Sequence, residues 1–281
     1  MSSQLTPDEA LSTIPKFAGL KCRWQALPGG LTNRSFRVDT AADSFILRLD
    51  SAHTADLGLD SALELRIRDN AHRAGLAAAV VHAEEGILLS EYLPGTVWQE
   101  SDLTVDEKLV ELARLLAKVH ELPAANKPFS AEQIAAQYVA AIAEDSELSG
   151  FAKECQERLA AIPPSESVCC CHNDIVAENI IQNRGLKLLD WEYACDNDPL
   201  FDLASLIGFH DLDASQTDTL LGAYSGGADR ELHERLRDQV RLFDIIQWLW
   251  FAVRYSGSHD AQTKSRLKEL RSRLEAAPTN P

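Results

Sequence analysis

Three side chains with the chemistry of a phosphate and metal site lie in the middle of the chain. Asp174 and Asn179 stand five positions apart in the stretch Cys-His-Asn-Asp-Ile-Val-Ala-Glu-Asn. Asp190 follows a predicted hairpin over residues 180–189, whose turn is Asn-Arg-Gly. Phosphoryl transfer requires a carboxylate that orients a hydroxyl and accepts its proton, and Mg²⁺ prefers Asn and carboxylate oxygens. A loop that offers Asp and then Asn can place both around one γ-phosphate, and the hairpin returns a second Asp to the metal.

The same spacing occurs in the catalytic loop of protein kinases, where Asn follows five residues after the Asp of His-Arg-Asp. Here the wording is His-Asn-Asp and Asp-Trp-Glu, which resembles the aminoglycoside phosphotransferase and choline kinase superfamily from about Leu27 to about Tyr255. The resemblance implies an α+β, protein-kinase-like fold with a small β-rich lobe and a larger, mainly helical lobe. It also implies Asp174 as catalytic base, Asn179 and Asp190 as Mg²⁺ ligands, and ATP as the phosphoryl donor.

The resemblance implies roles for four neighbouring residues. Glu192 resembles an acidic residue near the metal or the acceptor, and Tyr193 follows Asp-Trp-Glu as a Tyr does in choline kinases. We expect His172 to brace the loop by hydrogen bonding. Asp202, in Asp-Pro-Leu-Phe-Asp-Leu-Ala, resembles the buried aspartate that supports the family's catalytic loop. On the residues alone an alternative stays open, in which Asp174 and Asn179 only cap a turn and Asp190 caps a strand end. The alternative for Asp202 is an ordinary helix residue.

The candidate phosphate loop is Leu-Pro-Gly-Gly-Leu-Thr-Asn at residues 27–33. Gly29 and Gly30 permit close approach of the backbone to phosphates, and Thr32 and Asn33 add polar contacts. The loop departs from the Gly-rich pattern of protein kinases, and a plain turn is the alternative. Its position between two predicted strands at the start of the first lobe resembles that of the family's loop.

Further nucleotide contacts follow in the first lobe. Arg48, in Phe-Ile-Leu-Arg-Leu, stands where the superfamily places a basic residue on the third strand, and its planar fork can neutralise phosphate. Glu64 on the next helix is the expected ion-pair partner, and a surface pair of little energetic value is the alternative. The segment from Glu91 to Leu93 resembles the hinge, whose backbone hydrogen-bonds the adenine.

Local patterns predict the elements that position these residues. Short apolar or alternating runs broken by Gly and Pro predict strands, and longer runs with apolar residues three and four apart predict helices. Before Leu93 the pattern gives strands at 23–27, 34–39, 44–49, 78–83 and 87–93, with one helix at 57–74. After it the pattern gives helices at 105–121, 131–144, 150–161 and 200–209 and further helices to residue 274, interrupted by strands within 168–193. We therefore predict a nucleotide-binding lobe, residues 1–93, and a lobe for catalysis and acceptor binding, residues 94–281.

Residues 243–255 are apolar nearly all round, which predicts a buried helix. Trp248 and Phe251 share one face of it. Such an aromatic face, opposite acidic residues, can hold a quaternary ammonium by cation–π attraction. Choline kinases, which the chain resembles, use aromatic residues of a late helix in this way, so we expect both residues to bind the acceptor. Core packing is the alternative.

The wording Asp-Trp-Glu-Tyr-Ala followed by Asn-Asp-Pro resembles bacterial choline and ethanolamine kinases most. Thiamine is the second acceptor to consider, and an aminoglycoside or sugar the third. A hypothesis of another class is a catalytically inactive nucleotide-binding scaffold. The intact set of Asp174, Asn179 and Asp190 speaks against it.

The charge and composition exclude several other classes. The net charge is −16, which argues against nucleic acid as a partner because such binding needs a basic footprint. Residues 1–93 hold 9 basic and 12 acidic residues, and the remainder holds 18 and 31, so the second lobe carries most of the negative charge and suits a cationic ligand. No apolar run approaches the roughly 20 residues that span a bilayer. With no signal-peptide pattern at the start, we expect a cytoplasmic protein without membrane contact.

The chain has six cysteines, three of them consecutive at 169–171. Adjacent residues of a strand point to opposite faces, so these three do not suggest a disulfide framework. A metal site at Cys171 and His172 lacks the paired spacing of zinc motifs. We expect buried thiols on a core strand.

Overall fold

The computed structural model describes residues 5–28, 33–50, 60–165 and 167–276. The chain divides into two compact units. The first, which we call the sheet unit, comprises Met1–Gln99 and Glu178–Ala194. The second, the helical unit, comprises Glu100–Ala177 and Cys195–Pro281. Residues 178–194 thus group with the N-terminal segment, and the predicted lobe boundary after Leu93 stays a prediction.

The strands are short and pair antiparallel. They are β1 (Arg23–Ala26), β2 (Asn33–Asp39), β3 (Ser44–Asp50), β4 (Val80–Glu84), β5 (Ile87–Glu91), β6 (Thr96–Val97), β7 (Cys169–Cys171), β8 (Ile180–Gln182), β9 (Leu186–Leu188) and β10 (Cys195–Asn197). In the described part of the sheet unit, the main sheet has the order β1-β2-β3-β5-β4 and a smaller one the order β6-β8-β9. In the helical unit, β7 pairs with β10.

The helices account for most of the remaining described residues. They are α1 (Pro7–Thr13), α2 (Ser61–Arg73), α3 (Asp106–Val119), α4 (Ala131–Ala141), α5 (Ser149–Leu159), α6 (Pro199–His210), α7 (Ala214–Ser225), α8 (Arg230–Ser258) and α9 (Ala261–Ala276). Of the α-helices in the described ranges, α1 and α2 belong to the sheet unit and the others to the helical unit. None of the helices in the described ranges has a stretch long and apolar enough to cross a membrane.

The core of the sheet unit forms where alternate residues of β2 and β3 point inward. Val38 and Leu47 are fully buried there, and α1 adds Ala10 to the same cluster. A capping box starts α1, because the Thr6 hydroxyl accepts the backbone N–H of Glu9 and the Glu9 carboxylate accepts that of Thr6.

The helix α2 begins at an aspartate cap. The Asp60 carboxylate accepts a hydrogen bond from the backbone N–H of Leu63 at 3.0 Å. Leu63, Ile67 and Ala71 are buried along one face, as the periodicity predicts. Leu59, the first member of that repeat, lies outside the described residues.

The helix α6 lies at the centre of the helical unit. Asp198 caps its N-terminus, Pro199 occupies its first position, and the residues from Leu200 to Gly208 are all buried. A helix buried all round must be surrounded by other elements, and α7, α8 and β7 contact it. The predicted α+β, protein-kinase-like fold class is confirmed, with a small antiparallel sheet in the N-terminal region and a mostly helical remainder.

Candidate active site

A buried arginine–glutamate pair joins β3 to α2. The Nη1 and Nη2 atoms of Arg48 donate to Oε1 and Oε2 of Glu64 at 2.8 and 2.6 Å. Burial opposes the charge of Arg48, but the hydrogen bonds and charge of Glu64, with Asp190 and Glu192, outweigh it and raise the pKa of the guanidinium. The predicted ion pair is therefore present. Its two side chains are only 10% and 5% exposed, so it is a desolvated bidentate pair and not a surface pair.

Several carboxylates surround Arg48. Its Nη1 lies 3.3 Å from Asp190 and 3.9 Å from Glu192, and its Nε lies 3.6 Å from Asp50. The amide of Asn33 donates to Glu192 at 2.5 Å. Glu192, predicted near the metal or the acceptor, thus contacts residues predicted to bind the nucleotide. The cluster also contains Arg68, whose Nη1 lies 3.3 Å from Glu64, so two guanidinium groups face four carboxylates.

The hairpin of β8 and β9 brings the two predicted metal ligands to one end. Ile180 pairs with Leu188, and the backbone N–H of Leu189 donates to the carbonyl of Asn179 at 2.8 Å. Asp190 comes next, with a left-handed φ of 56° that turns the chain away from the strand. An amide and a carboxylate supply hard oxygen donors at this end of the hairpin, so the residues fit Mg²⁺.

The loop that carries Asp174 belongs to the helical unit and is held by the fully buried Asp202 of α6. The Asp202 carboxylate accepts the backbone N–H groups of His172 at 3.0 Å and Asn173 at 2.6 Å. Asn173 has a left-handed φ of 66°, and its side-chain oxygen accepts a 2.8 Å bond from Asn197. Asp174, the next residue, is partly exposed. The backbone on its N-terminal side is thereby fixed.

Two more residues of α6 bind the same loop, and the sequence analysis missed them. The hydroxyl of Ser205 accepts the backbone N–H of Ile175 at 3.2 Å, and Nε2 of His210 accepts that of Ala177 at 3.0 Å. Ser205 stands three positions after Asp202, on the same helix face, and this spacing could have identified it. No local signal identifies His210.

His120, which caps the C-terminus of α3, is the charge partner of Asp202. Its Nε2 lies 2.9 Å from Oδ2 of Asp202 and its Nδ1 lies 2.7 Å from the Tyr224 hydroxyl. Burial opposes the imidazolium, but the hydrogen bond and charge of Asp202 outweigh it and raise the pKa of His120. Burial would raise the pKa of the Asp202 carboxyl, yet the bond and charge of His120 hold it below its ordinary value. His120 was not predicted from the sequence, because 82 positions separate it from Asp202.

The other predicted nucleotide contacts are described in part. Glu91 is the exposed last residue of β5, and Leu93 is half-buried shortly after it. Glu91 pairs with Phe45 of β3, and the role of this segment as the hinge stays a prediction. Four residues of the predicted phosphate loop lie outside the described residues: Gly29, Gly30, Leu31 and Thr32.

The aromatic residues predicted to bind the acceptor differ in exposure. Trp248 is 2% exposed, its indole N–H donates to the carbonyl of Leu267 at 3.2 Å, and its ring packs edge-on against Phe151 with centroids 4.8 Å apart. These contacts favour the core-packing alternative for Trp248. Phe251 and Tyr193 are each only partly buried.

The fold and the site together are those of a phosphotransferase of the protein-kinase-like class. The features that define it are a small antiparallel sheet with a buried Arg–Glu pair, a helical remainder, and an Asp loop fixed by a buried aspartate. The profile of the phosphotransferase enzyme family matches residues 23–274. The chain belongs to this family, and the predicted resemblance is confirmed.

Individual relatives point the same way. Protein LicA of Haemophilus influenzae is 26% identical over 245 residues, which are 80% of this chain and 72% of that protein. Choline kinase LicA from Streptococcus pneumoniae superposes with a TM-score of 0.80 at 21% identity, covering 95% of this chain and 97% of the other. A choline/ethanolamine kinase family protein from Mesorhizobium loti gives a TM-score of 0.76 at 24% identity, covering 96% and 93%. The two solved structures share the fold of this chain.

Proposed function

We propose that the protein is an ATP-dependent kinase that transfers the γ-phosphate of ATP to the hydroxyl of choline, with ethanolamine as the nearest alternative acceptor. The observation that carries the proposal is the similarity to protein LicA and to structures of choline kinases, within the phosphotransferase family. The charge supports a cationic acceptor, because residues 94–281 hold 31 acidic and 18 basic side chains.

On the donor side we assign Arg48 to the phosphates of ATP. Glu64 fixes its guanidinium in place, so the cation needs no reorganisation when the polyphosphate binds. Asn33 and the loop before it are assigned to the same phosphates. The backbone between Glu91 and Leu93 is assigned to the adenine.

We assign Asn179 and Asp190 to Mg²⁺. The ion, when bound, neutralises charge on the transferred phosphoryl group. The support is the chemistry of the donors, one amide and one carboxylate at the same end of a hairpin, beside the further acids Glu192 and Asp50.

Asp174 is assigned as the base. It accepts the proton of the acceptor hydroxyl while the hydroxyl oxygen bonds to the γ-phosphorus, and the bond between that phosphorus and the β,γ-bridging oxygen breaks to release ADP. His172 and Asp202 act as positioning residues. The support is that Asp202 receives the two backbone N–H groups directly before Asp174, which limits the positions open to the carboxylate.

For the acceptor we assign Glu192, Tyr193 and Phe251. A quaternary ammonium binds well to aromatic faces and carboxylates, and these aromatic side chains are partly exposed. Trp248 is left out of this set, because its indole is buried and hydrogen-bonded in the core.

The test is ATP consumption with Mg²⁺ and one acceptor at a time: choline, ethanolamine, thiamine, an aminoglycoside or a simple sugar. We expect choline to give the largest kcat/KM and Asp174→Asn to lower kcat by about 10²-fold or more with little change in KM for ATP. Glu178→Gln, at an exposed neighbour in the same segment, is the matched control and should leave kcat unchanged. Turnover that no hydroxyl compound stimulates above the Asp174→Asn level would refute the kinase assignment. A larger kcat/KM for another acceptor would refute only choline.

A further inference from the structure

Two cysteines and a histidine lie together in the helical unit. Alternate residues of a strand share a face, so Cys169 and Cys171 of β7 point the same way while Cys170 points to the other side. The two Sγ atoms and a ring nitrogen of His120 all lie within 4.8 Å of one another. Neither thiol has a role in the proposed phosphoryl transfer, and His120 bears on it only through its hydrogen bond to Asp202.

The distance between the two sulfur atoms suits a shared metal ion. Two thiolates bound to tetrahedral Zn²⁺ at about 2.3 Å each lie about 3.8 Å apart. The Sγ atoms of Cys169 and Cys171 are 3.8 Å apart. A disulfide is disfavoured, because alternate residues of a strand have Cα atoms about 6.6 Å apart, near the upper limit for such a bond.

The histidine already has the partner that metal-bound histidines use. A ligating imidazole commonly donates its other N–H to a carboxylate, which fixes the tautomer and increases ligand basicity. Nε2 of His120 lies 2.9 Å from the Asp202 carboxylate, so Nδ1 is the atom that faces an ion. The Tyr224 hydroxyl lies 2.7 Å from Nδ1 and would have to move aside for an ion to bind there.

We propose that Cys169, Cys171 and Nδ1 of His120 form a binding site for one thiophilic divalent cation of the Zn²⁺ class. Thiolate and imidazole ligands select such ions, whereas Mg²⁺ requires oxygen donors. The site is therefore chemically distinct from the one assigned to Asn179 and Asp190. Solvent reaches it at Cys169, which is partly exposed, and the fourth coordination position is left to water or to the Tyr224 hydroxyl.

The site is connected to the loop that precedes Asp174. Asp202 accepts from His120 through Oδ2, and the same carboxylate accepts the backbone N–H groups of His172 and Asn173. An ion bound to Nδ1 is therefore linked to the loop before Asp174 through a single carboxylate, that of Asp202, which hydrogen-bonds both to His120 and to the loop backbone.

The test titrates CdCl₂ into the reduced, metal-free full chain without ATP or acceptor, and follows the ultraviolet thiolate-to-Cd²⁺ charge-transfer band. We expect one equivalent to bind in the wild type, with an affinity that excess Mg²⁺ leaves unchanged. Cys169→Ser should lower that affinity at least about ten-fold. Cys170→Ser, on the opposite face of the same strand, is the matched control and should keep it. Circular dichroism verifies that both variants fold.

Three results would overturn the site: no stoichiometric band in the wild type, an unchanged band in Cys169→Ser, or equal loss in Cys169→Ser and Cys170→Ser. His120→Asn gives a second, independent reading, because it should weaken Cd²⁺ binding without removing a thiol. The readout needs no turnover, so it stands apart from the outcome of the kinase assay.

Discussion

Replacement of Asp202 by Asn tests whether a buried charge pair holds the Asp174 loop. The substitution keeps the shape of the side chain and removes its charge. In the wild type the carboxylate is fully buried and accepts from Nε2 of His120 and from the backbone N–H groups of His172 and Asn173. An Asn amide has one oxygen for these three donors, and its NH₂ group must face at least one of them.

The expected loss of stability follows from this geometry. Removal of one partner of a buried, hydrogen-bonded charge pair costs about 3–5 kcal/mol. Since the Asn oxygen retains part of the bonding, we expect the lower end, about 3 kcal/mol, which is roughly a 150-fold change in the folding equilibrium. With a urea dependence of about 3 kcal/mol per molar, the midpoint of unfolding should fall by about 1 M.

The assay is equilibrium urea unfolding followed by circular dichroism at neutral pH. The helical unit contains a matched control, the exposed pair of His233 and Asp218, whose Nε2–Oδ1 distance of 3.0 Å nearly equals that of the buried pair. Their side chains are 36% and 68% exposed, so Asp218→Asn should shift the midpoint far less. Equal shifts in Asp202→Asn and Asp218→Asn would refute the argument that burial makes the His120–Asp202 pair strong.

Three further predictions follow from the same contacts. Glu64→Gln leaves the buried Arg48 guanidinium without its bidentate partner, so it should lower the free energy of unfolding by about 3 kcal/mol. It should also raise the KM for ATP more than the KM for choline. A loss of stability no larger than that on breaking an exposed ion pair would contradict this. The pKa of His120 is raised in the folded state, so the stabilisation from its charge is complete below about pH 6.5 and is lost as the pH rises through the folded-state pKa. The urea midpoint of the wild type should therefore decline over that range, and the midpoint of His120→Asn should change less. Parallel pH profiles of the two proteins would exclude the His120–Asp202 pair as the cause. Trp248→Ala should lower the free energy of unfolding by about 3–5 kcal/mol, because it leaves a cavity in the core, and should change the KM for choline little. A rise in the KM for choline without a loss of stability would show that Trp248 binds the acceptor.

The parts of the site that the sequence predicted are those with a local signature. The hairpin between Asn179 and Asp190 could be predicted from the sequence, because a short Gly-containing turn between apolar runs has few other conformations. The partner of Arg48 was readable too, since Glu64 is the acidic residue of the first turn of the next helix. In both cases the residues that interact are close in sequence or belong to consecutive elements.

The parts that escaped prediction depend on long-range packing. Ser205 and His210 bind the Asp174 loop only because α6 is buried beside it. Trp248 illustrates the same limit, because an aromatic face looks alike in a sequence whether it lines a pocket or packs a core. Its exposure was decided by Phe151 and Leu267, which lie on other helices.

The sequence by itself predicted the reaction class, because the spacing of Asp174, Asn179 and Asp190 resembles that of the kinase motifs, and the match to the phosphotransferase family confirms that class. It also predicted most of the longer strands and helices, because burial of one face imposes a period of two or of 3.6, whereas the short elements α1, β6 and β10 had no predicted counterpart. Only the tertiary structure decided what surrounds Asp202, whose partner His120 lies 82 residues away. The tertiary structure likewise brings Cys169 and Cys171 close to His120, although the sequence has no zinc-motif spacing. Metal-ligand geometry depends on distances in space and not on separation in the sequence.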